Sequence, residues 1–306
     1  MRWDDFRRSD NVEDVREDGG GGGGGGFGLP IGRGGLGIGT IVVLGLVGWA
    51  LGIDPRILIG GAEIITGGGS QYEQPVQPPR QAQRGAPADQ AGQFVAAVLG
   101  STEDVWGEVF KQNGQTYHPP RLRLFAGATR GGCGVAQEQM GPFYCPTDRV
   151  VYLDTAFFKE IENRFRGCSG QACKFSQAYV IAHEVGHHVQ NELGILRKAQ
   201  SQQQEAGSRA AANRIQVRVE LQADCLGGVW ANLQEKRSKF IDPGDIDAAM
   251  QTASAIGDDT LQRKAQGRVV PDSFTHGSAE QRKHWFMTGY QQGKVSACNT
   301  FAAGSP

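Results

Sequence analysis

His183-Glu184-Val185-Gly186-His187 sits inside Phe175–Gly194, a stretch that reads as one helix. At about 100° per residue, two histidines four apart fall about 40° apart on a helix and project from one face. Their imidazoles can then meet one Zn²⁺ from the same side. Glu184, about 100° further round, can reach a water at the metal's open position and act as general base. Uncharged Val185, Gly186 and His188, then hydrophobic Val189, extend the pattern. H-E-x-x-H also arises by chance, so the reading needs support from elsewhere in the chain.

A catalytic zinc keeps one coordination position open and draws the others from protein side chains. The candidate third ligand lies in Arg218-Val219-Glu220-Leu221-Gln222-Ala223-Asp224-Cys225. Glu220 and Asp224 share a helical face. Glu220 can bind zinc while Asp224 accepts the outer N–H of a ligand histidine, fixing its tautomer and orientation. Ala223, Gly227 and Gly228, opposed to Gly186, would let two helices approach closely. The rival reading makes both acids solvated surface charges. Against it, Val217, Val219, Leu221, Leu226 and Val229 make the segment apolar.

H-E-x-x-H followed by E-x-x-x-D on a second helix resembles the gluzincin arrangement. HEVGHHVQ, ELQADC and THGSAEQR together look like the bacterial putative neutral zinc metallopeptidase family, over most of the chain to about Tyr290. Carried over by motif, the resemblance implies His183, His187 and Glu220 as zinc ligands and Glu184 as catalytic acid/base. Hydrolysis also builds charge on the scissile oxygen, which a donor opposite the metal stabilises. His276, in Thr275-His276-Gly277-Ser278, is the candidate, with Arg282 as a supporting cation. A late histidine is common in zincins, and related membrane gluzincins have a similar His…Arg spacing. The rival has His276 capping a helix that begins near Ser278. His188, turned away from His187, is expected to pack or hydrogen-bond behind the site. His284, beside Trp285, reads as an ordinary core or surface histidine, and His118 as a loop residue without a partner. Tyr144 and Tyr290 are weak oxyanion candidates.

The 306 residues carry 31 basic and 32 acidic side chains, a balance that gives no electrostatic case for nucleic-acid binding. Residues 1–18 are charged without apolar periodicity, and Gly19–Gly26 is an unbroken glycine run. Residues 1–33 are therefore expected to be a disordered, cytoplasmic, Gly-rich tail. Gly34–Ile53 carries no charge and, at about 1.5 Å per residue, reaches about 30 Å, the thickness of a bilayer core. It reads as one transmembrane helix, with a cleaved signal peptide or a buried helix as rivals. Arg2, Arg7, Arg8, Arg16 and Arg33 precede it and only Arg56 closely follows, so the rest of the chain is expected outside, periplasmic or extracellular. A linker over 54–90 and a catalytic domain over 91–301 complete the organisation.

Cys133, Cys145, Cys168, Cys173, Cys225 and Cys298 are even in number, as disulfides in an outward-facing domain would be. Pairing Cys133 with Cys145 and Cys168 with Cys173 closes short loops and leaves Cys225 with Cys298. That connectivity is one of fifteen for six cysteines, and the rival is a reduced cytosolic protein or a Cys-based second metal site, the latter without a C-x-x-C to support it.

Helical spacing marks Gln90–Phe110, Gln177–Leu193, one long helix over about Ser201–Lys236, Ile246–Ala255 and Glu280–Gln292. Leu122–Phe125 and Arg149–Leu153 read as strands, Gly131–Tyr144 as a hairpin or loop, and Asp154-Thr155 as the cap of a helix through Phe165. The expected fold class is α+β and zincin-like, mainly helical with a small sheet. Tyr152 and its strand are either a substrate-pairing edge, as in strand addition, or an ordinary interior strand. The expected function is that of a membrane-anchored zinc endopeptidase acting on peptide or unfolded protein. The alternatives are a non-proteolytic envelope protein using zinc for structure or partner binding, and a hydrolase of cell-wall peptides. Oligomeric state, cleavage preference and physiological substrate do not follow from the residues.

Overall fold

The computed structural model describes residues 1–17, 83–163, 168, 173–302 and 304–305. Residues 1–17 and those from 83 onward belong to one compact unit. The expected membrane helix, most of the linker and Gly19–Gly26 lie outside the described residues. Among the described residues no helix is long and apolar enough to cross a membrane.

A five-stranded sheet runs β2–β1–β3–β7–β6, with β1 Val12–Asp14, β2 Gln83–Arg84, β3 Arg121–Phe125, β6 Phe143–Cys145 and β7 Val150–Asp154. β1, β3 and β7 are parallel, while β2 and β6 run antiparallel to their neighbours. A separate hairpin pairs β4 Ala128–Gly131 with β5 Gly134–Gln137. Side chains alternate along each strand. Val12, Leu122, Leu124, Val151 and Leu153 join the main core with Phe94, Val95 and Val98 of helix α1 (Gln90–Gln112). Phe125, Val150 and Tyr152 form a smaller cluster on the other face with Ala136 of the hairpin. β7 is thus interior, between β3 and β6, and the end strand of the sheet on this side is β6. The substrate-edge reading of Val150–Leu153 is corrected accordingly.

Three further expectations fail. Residues 1–17 are not a disordered tail. They include β1, flanked by β2 and β3, and their apolar side chains Phe6 and Val12 are buried. The charge of the segment hid this, because Arg2, Arg7 and Arg16 meet acids far along the chain. The linker likewise ends before Gln83, which pairs with Asp14. The long helix of Ser201–Lys236 is in fact two, α4 Ile195–Gln204 and α5 Arg209–Ser238. The break falls where the Ser208 hydroxyl accepts from the Ala211 N–H, a side-chain cap that competes with continuing the helix. Before them in sequence, after α1, stand α2 Ala156–Asn163, capped by Asp154 as expected, and α3 Cys173–Glu192, which carries H-E-x-x-H. α6 Asp245–Ala255, α7 Asp258–Gln266 and α8 Ala279–Gln292 follow. Of these, α7 escaped the sequence reading.

The three disulfides are Cys133–Cys145, Cys168–Cys173 and Cys225–Cys298. The last ties α5, one residue beyond Asp224, to the C-terminal segment.

Candidate metal centre

α3 and α5 cross where Gly186 meets Ala223. A Cβ on Gly186 would stand 2.9 Å from the Ala223 carbonyl oxygen, so the absence of a side chain sets this approach. Gly227 makes only ordinary contacts with α3, and Gly228 packs against Phe286 of α8 rather than against Gly186. The crossing brings Glu220 opposite the two histidines. Its Oε2 lies 3.2 Å from His183 Nε2 and 3.4 Å from His187 Nε2. One donor atom from each of the three residues lies within 4.8 Å of the others. Bonds of about 2.0–2.2 Å to one tetrahedral ion put ligand atoms about 3.3–3.6 Å apart. The trio can therefore hold a metal, and its chemistry (two imidazoles and a carboxylate) is a zinc set.

Each of the three is braced from behind. His183 Nδ1 donates to Asp224 at 2.8 Å, as the sequence spacing predicts. His187 Nδ1 donates to Gln190 Oε1 at 2.9 Å, and Gln190 is itself held by Val219 O and Gln222 Oε1. Glu220 Oε1 accepts from Gln216 Nε2 at 2.7 Å. These bonds turn both Nε2 lone pairs and Glu220 Oε2 toward one point. Asp224 is fully buried and also accepts from Tyr179 Oη at 2.5 Å and from Arg282 Nε at 2.8 Å. Arg282 is thus a buried partner of Asp224 behind His183, not a cation facing substrate. Gln190, Gln216 and Tyr179 were missed. All three lie three or four residues from a ligand histidine or from Glu220, a helical spacing that marks them once the ligands are known.

The electrostatics suit a dication. When ionised, Glu184, Glu220 and Asp224 place three negative charges here against the single guanidinium of Arg282, leaving two for a divalent ion to balance. Burial alone would lower the His183 imidazole, but Asp224 and then Glu220 outweigh it and raise its pKa to about 10. The site attracts positive charge at that nitrogen, where a metal competes with the proton. Burial raises the Glu184 carboxyl, and the charges of His183, His187, Glu220 and His276 all act on it.

His276 stands on the loop before α8, its ring half-exposed at 52 %. It does not cap the helix: Ser278 and Gln281 form their own capping box. Asp258, at the start of α7, organises the loop. One of its oxygens accepts the backbone N–H groups of Thr275, His276 and Gly277, and the other lies 3.4 Å from His276 Nδ1. Gly277, at φ +97°, lets the loop rest on Leu221 and Val217 beside Glu220. Nothing in the sequence near Asp258 signalled this role.

His188 sits at the back, as expected. Its Nε2 donates to His118 O at 2.7 Å, so Nδ1 accepts from Tyr144 Oη at 3.0 Å. Burial keeps it neutral, with its pKa lowered to about 4. Tyr144 also accepts from Asn191 at 2.9 Å. It is therefore committed to joining β6 to α3 rather than free to serve an oxyanion. His118 has partners after all, the other being Glu192 at 3.0 Å. His284 is exposed beside Trp285.

The family model described as "Putative neutral zinc metallopeptidase" matches residues 1–301. The chain belongs to this family. It is similar to the Escherichia coli K12 protein called "Uncharacterized protein YpfJ", at 46 % identity over 98 % of this chain and 99 % of that one. It is also similar to "Uncharacterized protein Rv2575" of Mycobacterium tuberculosis H37Rv, 40 % identical over 83 % and 84 % of the two chains. No solved structure matches significantly.

The helix crossing is open to test. In Gly186→Val the new side chain meets backbone on α5, so the helices must separate, at a cost of about 1–3 kcal/mol. Zinc affinity by competition with a chromogenic chelator should fall, with the fold retained by circular dichroism. Unchanged affinity would remove Gly186 from the account.

Proposed function

We propose that the protein is a zinc-dependent endopeptidase acting outside the cytoplasm, in association with the membrane. The observation that carries the reading is the pairing of a three-residue ligand set with a fourth group, Glu184, in the same buried place but outside that set. A zinc ion bound there supplies Lewis acidity to the scissile carbonyl and lowers the pKa of water. Glu184 accepts the proton of the attacking water at its carboxylate and passes it to the departing amine. Its raised pKa suits both halves of that task. His276, held by Asp258, donates to the developing oxyanion. An extended peptide or unfolded protein segment pairs along β6, which the Tyr144–His188 bond fastens to the metal helix. The compartment rests on the three disulfides.

Zinc stoichiometry and turnover of a casein-like chain test this together. The wild type should carry one zinc per chain and cleave, whereas His187→Ala and Glu220→Ala should lose both metal and cleavage. A zinc-replete protein inert toward many peptides would instead favour a structural or partner-binding role.

The His276 assignment has its own pH signature. Partial desolvation would lower its imidazole, but Asp258 and then Glu220 raise it above the ordinary 6.5. Activity that needs the imidazolium is present below that raised pKa and lost as pH climbs through it. Asp258→Asn keeps an oxygen for the three loop N–H groups and removes the charge. The alkaline limb of kcat/KM should therefore move to lower pH, and an unmoved limb would remove His276 from the reaction.

A further inference from the structure

Val12, Glu13 and Asp14 pair with Leu122, Arg123 and Leu124 on one side, and Glu13 and Asp14 with Arg84 and Gln83 on the other. Neighbouring strands stand about 4.8 Å apart. A bilayer core is about 30 Å thick, so strands in one ladder cannot lie on its two faces.

The rest of the segment is built into the same unit. Trp3 packs edge-on against Phe94 at 5.4 Å and Phe6 against Phe240 at 5.3 Å. The Ser9 N–H donates to Ala96 O at 2.9 Å. Glu103 accepts from Ser9 Oγ and Asn11 Nδ2 at 2.6 and 2.7 Å. Glu13, almost wholly buried, is held by Arg121 and Arg123 at 2.7 and 2.8 Å. The domain is shaped for this passage: a Cβ on Gly100 would collide with the Arg7 carbonyl oxygen. The family pattern likewise starts at residue 1.

These contacts also account for the basic residues that argued for a cytoplasmic N-terminus. Arg2 pairs with Asp242, Arg7 with Glu103 and Asp104, and Arg16 with Asp14 and Asp89, while Arg8 bonds Gln93 and lies over Trp3. Their charges are answered inside the domain, so they are poor indicators of membrane orientation. Of the five counted before Gly34, only Arg33 is left for that rule.

We propose that residues 1–17 and the zinc-site domain occupy the same compartment, on one face of any membrane the chain meets. A single crossing between Arg16 and Gln83 is incompatible with the ladder, and it stays so if β1 is supplied by a second copy of the chain. The protein is therefore not a single-pass protein with its first residues in the cytoplasm and its catalytic domain outside. On the proposed function, in which the disulfides place the domain outside, residues 1–17 are outside with it.

The test uses the full-length chain with one site-specific protease sequence inserted in Gly19–Gly26 and another added after Pro306. The protease is applied to intact spheroplasts containing a cleavable cytoplasmic marker, and again after lysis. Both sites should be cut in intact cells while the marker survives. Both protected until lysis would uphold the shared compartment and overturn the external location alone. One site cut and the other protected would overturn the proposal.

Discussion

Glu184→Gln should bind zinc like the wild type and hydrolyse nothing measurable. The amide preserves the size of the side chain but can neither take a proton from water nor return one to an amine. General acid–base catalysis contributes about 10²–10⁴-fold, and here one group serves both halves of the reaction, so the loss in kcat should reach the upper end. Zinc binding should persist because the group placed to hold the metal is His183, His187 and Glu220, and Glu184 hydrogen-bonds none of them. Removing a buried carboxyl already raised by desolvation leaves no orphaned partner, so thermal stability should hold or rise slightly. Measured side by side, metal content and peptide turnover should separate. A variant that still cleaves at the wild-type rate would sink the mechanism, and one that loses zinc would make Glu184 part of the binding set.

Asp224→Ala should do the opposite damage, harming the fold as well as the metal. This carboxylate is fully buried and receives His183 Nδ1, Tyr179 Oη and two nitrogens of Arg282. Truncation strands the buried guanidinium, and breaking a buried ion pair costs about 3–5 kcal/mol. That is a large part of the about 5–15 kcal/mol by which a domain is stable. His183 would also lose the group that fixes its tautomer, worth about 10–100-fold in metal affinity. Urea unfolding of the metal-free protein should show the stability loss by itself, and chelator competition the affinity loss. Asp224→Asn, which can still accept from Nδ1, should recover part of the affinity while leaving Arg282 unpaired. If both variants unfold like the wild type, the network around Asp224 is not what holds α3, α5 and α8 together.

The same network explains why Arg282 misleads on sequence alone. Its distance from His276 suggests a second cation facing the substrate, yet α8 turns it inward. There Gly289 lets α8 approach Cys225 of α5 closely. An arginine on an amphipathic helix carries no mark of which carboxylate it will meet. His276 is the converse: its neighbourhood could be guessed, but its orienting partner Asp258 lies on a helix with no apolar period strong enough to be recognised.

What could be read from the chain was whatever repeats within a few residues. The 3.6-residue period put His183 with His187 and Glu220 with Asp224, and short separations favoured two of the three disulfides, the third following by elimination. None of this required knowing where the chain goes next. The strand Val12–Asp14 is too short to display alternation, and its partner β3 lies more than a hundred residues away. Its charges look like those of a solvated tail until Arg121 and Arg123 arrive beside Glu13. The Gly207–Ser208 break, the inward turn of Arg282, the relay from His187 through Gln190 to Gln222 and the Asp258 clasp likewise depend on neighbours brought in by folding. Local periodicity chooses the face of a helix, whereas the group that meets that face is chosen by packing between segments remote in sequence.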